Sequence, residues 1–208
     1  MSNTQKKNPL MICHFILMVL LALGNLVVGI WVIANATSGS LGGQEMPVNG
    51  IFFTGLASIS YTIALCFGVI YLIKGYSKNA AVFYKLFLLL TALAVAFYVA
   101  ILFSLSNSEF ASIPMNSSSI RIYGSIFMGI KILSILILTF GLNLGKRISW
   151  MLFCIAIISD ILLVIFFFTV PIFTNILVVA SLACLIMDGT IGLAIKGKFD
   201  DKDSRGSK

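Results

Sequence analysis

Three ionisable side chains stand where charge is costly. Lys131, Asp160 and Asp188 each lie well inside a long apolar run. A charge at the centre of a membrane span costs roughly 2.5–3.5 kcal/mol on the insertion scale. Such residues face the protein interior, find a partner and mark candidate sites for an ion or solute. The run that carries Lys131 can bear the cost, because the stretch between Arg121 and Lys146 holds thirteen Ile, Leu or Phe residues, each contributing about 0.3–0.6 kcal/mol near the centre.

Spacing predicts the partner. Lys131 lies fifteen residues before Lys146 and Asp160 fourteen after it. In two antiparallel helices that turn near Lys146, the two side chains fall at one depth and face each other. Asp188 lies eight residues before Lys196, about 12 Å from that end at 1.5 Å per residue. It is therefore expected nearer the end of its helix, apart from the pair. Small or polar residues accompany all three. Gly124, Met128, Ser134 and Gly141 share a stripe with Lys131, Ala156 and Ser159 flank Asp160, and Asp188 belongs to the series Ala180, Cys184, Asp188, Gly192. Similar stripes run through Ala22, Asn25 and Gly29, and through Thr54, Ser58, Tyr61 and Gly68. Small residues let membrane helices approach closely, so these are expected to be protein-facing sides. Two readings follow: an ion pair that fixes helix register, or a polar site for an ion or solute formed by Lys131, Asp160, Asp188, Asn25 and Tyr61.

Other chemistry is poorly served. His14 is the single histidine, which rules out haem held by paired histidines and H-E-x-x-H zinc chemistry. It reads as an interfacial polar residue. There is no G-x-S-x-G, and a Ser134–Lys131 dyad would require a neutral amine that Asp160 opposes. Cys13, Cys66, Cys154 and Cys184 all lie in apolar runs with no C-x-x-C pair, so they read as packing residues. Asp200, Asp201 and Asp203 lack the spacing of a calcium loop. No catalytic residue, no metal site and no cofactor is expected, and the chain does not read as an enzyme.

The elements that must position these side chains are membrane helices. Of 208 residues, 60% are hydrophobic and only 10% charged, against about 25% charged in a soluble domain. Apolar blocks of about 20 residues match a hydrocarbon core of roughly 30 Å, and continuous blocks must be helices there. The fold class expected is all-α: a single six-helix transmembrane bundle over residues 10–197, with helices at about 10–36, 51–73, 81–104, 120–144, 148–170 and 172–195. Pro171 marks a tight turn between the last two. Residues 1–9 and 198–208 read as cytoplasmic tails, the second too polar to bury a core. Ala34-Asn35-Ala36 resembles a signal-peptidase site, but the apolar stretch before it exceeds the 7–15 residues typical of a signal peptide, so it reads as a retained span. The sequons at Asn35 and Asn116 read as coincidence.

The net charge of +7 sorts by side of the membrane. Twelve of the fourteen basic residues fall at one set of block ends; Arg121 alone lies at the other, and Lys131 is internal. The excess of Lys and Arg marks the cytoplasmic side, so both termini are expected inside, in the plasma membrane. No basic-and-aromatic strip suggests nucleic acid. The partners expected are the lipid bilayer, a small solute or ion, and a membrane protein or a second copy of the chain. The leading expectation is solute or ion binding or transport through a polar site between helices four to six. The other is a non-catalytic accessory subunit or immunity-like factor that acts by helix packing.

Overall fold

The apolar runs form helices because, away from water, each backbone N–H and C=O has to be satisfied within its own segment. The computed structural model describes residues 9–35, 40–41, 44–45, 48–74, 81–104, 117–141, 144–168, 186–193 and 195–196. Five long helices dominate: α1 (Pro9–Ala34), α2 (Val48–Lys74), α3 (Ala81–Ser104), α4 (Ser117–Phe140) and α5 (Lys146–Phe168). All five are long and apolar enough to cross a membrane. A sixth helix, α6, covers 186–193 with 195 and 196. The only strand pairing among the described residues joins Ser40 to Glu45 and Leu41 to Gln44.

The outer surface fits a hydrocarbon solvent. Large apolar side chains such as Leu20, Val27, Leu133 and Met151 are more than half exposed. In water such a surface would drive aggregation; in hydrocarbon it costs nothing. The protein is a membrane protein. Buried hydroxyls close on their own helices, as membrane burial requires. Thr91 donates to the Phe87 carbonyl at 2.7 Å and Thr139 to that of Ile135 at 2.8 Å.

Successive helices pack in order, α1 on α2, α2 on α3, α3 on α4 and α4 on α5. Small residues set the closest approaches. A Cβ on Gly29 of α1 would meet Ile59 and Ser58 of α2 at 3.1 and 3.2 Å. One on Gly68 of α2 would meet Met18 of α1 at 3.0 Å and Phe87 of α3 at 3.2 Å. The stripes of Ala22 and Gly29, and of Ser58, Tyr61 and Gly68, are buried, with Asn25 and Thr54 half-buried. At one end, the Arg121 Nε donates to the Leu102 carbonyl at 3.2 Å and ties the start of α4 to the end of α3.

Helix α6 lies among the others. Met187, Asp188, Thr190, Ile191 and Ile195 are all buried, and its apolar members share one core with Met18 and Ala22 of α1, Tyr61 and Leu65 of α2, Phe87 of α3 and Ile135 of α4. Its less buried side carries Ile186, Gly189 and Leu193, with Lys196 exposed at the end.

Three differences from the sequence expectation matter. α4 ends at Phe140 rather than near residue 144, its last backbone bond running from Gly141 N to Ile137 O at 2.7 Å. A glycine just past the last turn is the common way for a helix to stop. Ala92, Ala96 and Ala100, four residues apart and so expected on one lipid-facing stripe of α3, divide: Ala92 is buried in the core, Ala96 is exposed and Ala100 half-buried. The sixth expected span, 172–195, is described only over its last turns. Residues 169–185, the turn at Pro171, both tails, Cys184 and Asn116 lie outside the described residues.

Candidate functional site

α4 points Lys131 inward because the lysine shares its face with Met128, Ser134 and Ile135, which are buried. α5 turns Asp160 to the same interior beside buried Ala156 and Ser159, and α6 brings Asp188. All three are nearly inaccessible, at 1%, 5% and 2% exposure. The Lys131 Nζ donates to Oδ2 of Asp160. Its distance to Oδ1 of Asp188 is 3.5 Å, longer than a good hydrogen bond. Neither Asp188 oxygen has a hydrogen-bond partner among the described residues.

Asp188 therefore joins the pair, where the sequence reading held it apart. Counting residues from the helix ends does not predict this, because the level of α6 relative to α4 and α5 is set by packing rather than by spacing along the chain. Two carboxylates thus converge on one ammonium, a site with one more negative than positive charge.

The opposite side of α6 carries a contact that sequence reasoning missed. His14 Nε2 lies 2.9 Å from Thr190 Oγ1. The Thr190 hydroxyl is 2.9 Å from the Ile186 carbonyl and 3.3 Å from the Met18 sulfur. Gly189 makes room for the imidazole, since a Cβ there would meet His14 Cε1 at 3.0 Å. His14 of α1 is thus half-buried and in contact with α6. The lone histidine and the polar Thr190 gave no signal of pairing, because their 176-residue separation hides it.

The remaining candidates are placed differently. The Asn25 amide donates to the Leu21 carbonyl of its own helix at 3.0 Å. Tyr61 is buried, with its ring centroid 6.0 Å from that of Tyr98 on α3. Ser134 Oγ donates to the Ile130 carbonyl at 2.9 Å, so its proton is directed to its own helix while Lys131 is bound to Asp160. That geometry does not prepare a Ser–Lys dyad. Cys13, Cys66 and Cys154 are free and exposed on the apolar surface. Among the described residues no group of three or more His, Cys, Asp or Glu could hold a metal ion.

Comparison with protein-family models, curated proteins and solved structures finds no match, so function has to be argued from the site.

Proposed function

We propose that this protein binds a small solute or ion, and carries it across the membrane, at the site formed by Lys131, Asp160 and Asp188. The observation that supports this most is the buried, unmatched carboxylate of Asp188 beside an ion pair already complete. A structural ion pair needs one acid and one base. A second buried acid with no hydrogen bond costs stability, and binding is what such a charge can offer. Burial of all three side chains corresponds to an occluded arrangement, which alternates with one open to water.

The proposal includes six spans, with α6 as the last turns of the sixth, and both termini in the cytoplasm. Support comes from Lys85, Lys146, Arg147 and Lys196, which are exposed at one set of helix ends, while Arg121 stands at the other. Lys and Arg are enriched on the cytoplasmic side.

Native mass spectrometry of the protein, extracted gently from its own membrane, tests the reading. A bound small molecule or ion is expected, with occupancy lost in Asp160→Asn while the protein stays folded. A stoichiometric protein partner with no small ligand would replace this reading with that of an accessory subunit.

A further inference from the structure

We infer that the ion exchanged at this site is a proton, carried by Asp188, and that it controls how α6 is held to the α4–α5 hairpin. The inference rests on reading the Lys131–Asp160–Asp188 cluster as an ion site and names the ion.

The argument begins with charge. Lys131 is matched by Asp160, its hydrogen-bonded partner, and Asp188 is left over. A buried carboxylate that must share one ammonium with another carboxylate is left with charge that is not compensated, and such charge is neutralised in practice. Either a proton or a metal cation could do this, and the surroundings select between them. A metal cation on Asp188 would stand within a few ångströms of the Lys131 ammonium, which lies 3.5 Å from Oδ1. Hard cations also collect several oxygen ligands, about six for magnesium and 6–8 for calcium. Here Oδ2 of Asp160 is taken by Lys131, and among the described residues no group of three or more His, Cys, Asp or Glu could hold a metal ion. A proton needs a single oxygen and no coordination shell. It arrives from water and adds to one carboxylate oxygen, and no other bond changes.

Protonation changes what holds α6. With Asp188 ionised, the Lys131 ammonium is shared between α5 and α6. With Asp188 neutral, the ammonium keeps Asp160, and α6 loses its ionic tie to α4. Apolar packing and the His14–Thr190 contact with α1 are among the contacts that then hold it. Among the described residues, the ionisable groups packed around α6 are Lys131 of α4, Asp160 of α5 and His14 of α1. Tyr61 of α2 and Tyr84 of α3 belong to the same core.

The test is infrared difference spectroscopy of the full-length protein in liposomes as pH is lowered, with and without carbon-isotope-labelled aspartate. The expected result is a carbonyl stretch of a protonated carboxylic acid that appears on acidification and shifts with labelled aspartate. In Asp188→Glu a carboxyl band should persist but lose the aspartate isotope shift; this variant keeps the charge and guards against misfolding. In Asp188→Asn the band should vanish. No titrating band in the wild type, a band unchanged in Asp188→Glu, or a band abolished by sodium ions at constant pH would each overturn the inference. A bound solute without a titrating band would sink the proton and spare the solute site; a titrating band with no solute would do the reverse.

Discussion

The three charged residues can be weighed by what each removal leaves behind. Taking one partner from a buried ion pair costs about 3–5 kcal/mol, because the other charge remains uncompensated. Lys131→Met should be the worst single change here, since it leaves two carboxylates facing each other with no cation. Asp160→Asn should be milder, because Asp188 already lies 3.5 Å from the ammonium and can take over as its partner. Replacing all three together by apolar residues of similar size should restore stability, as apolar substitution of whole buried ionic groups often does. Thermal unfolding in detergent should rank the variants with Lys131→Met lowest and the triple variant near the wild type. A triple variant as unstable as Lys131→Met would mean that packing around the side chains, and not charge, sets the cost. The pairing of Lys131 with Asp160 was legible in the sequence because both are counted from one turn, near Lys146. Asp188 was not, because no short turn ties its helix to α4, and the level of α6 is set by packing that spacing does not record.

At the scale of elements, α6 is the helix on which the site depends, and two glycines fit it among its neighbours. Gly189 receives the His14 ring, and Gly192 receives the Phe153 ring of α5, whose Cζ would be 2.8 Å from an added Cβ. Real Cβ atoms do not come so close, so the ring would have to move. Phe153 is itself held by an edge contact with Trp150, with centroids 5.4 Å apart. Gly192→Ala is therefore expected to cost about 1–3 kcal/mol, the usual range for overpacking. The same change in a Phe153→Ala background should cost clearly less, because the ring is gone. A double-mutant cycle by unfolding in detergent measures the difference, and touching residues commonly couple by about 0.5–3 kcal/mol. Equal costs in the two backgrounds would show that Gly192 does not rest on Phe153. The sequence singled out Gly192 as a small residue in the Asp188 series, but not which side chain it accommodates. The same gap explains Ala92. Spacing puts it in line with Ala96 and Ala100, yet three residues on a helix stripe cannot say whether lipid or core faces them. α3 packs against both α2 and α4, and its inward arc is wide enough to take in Ala92.

At the scale of the whole molecule, the long spans were legible because membrane insertion is written in composition, and composition survives without knowledge of packing. Orientation is legible only through the distribution of lysine and arginine, so it calls for chemistry at defined positions. With the native cysteines replaced, a cysteine at Ser40, in the short ladder between α1 and α2, should react with impermeant thiol reagents from outside intact cells. A cysteine at Ser77, between α2 and α3, should react only after the membrane is opened. The native thiols of the unaltered protein supply a separate control. Cys66 lies eight residues before Lys74 and Cys154 eight after Lys146, each about 12 Å inside its helix end, and both are exposed on the bundle surface. In water such thiols would label at once. Here their surface faces lipid, so a water-soluble reagent should leave both unmodified in intact membranes from either side and modify both after denaturation. Labelling of Cys154 in sealed vesicles would mean that α5 borders water rather than hydrocarbon. That would open the Asp160 side of the site directly to solvent and remove the reason to treat its charges as enclosed. Protection of both thiols, with Ser40→Cys and Ser77→Cys divided as expected, would instead leave the bundle interior as the route by which water can reach Asp188.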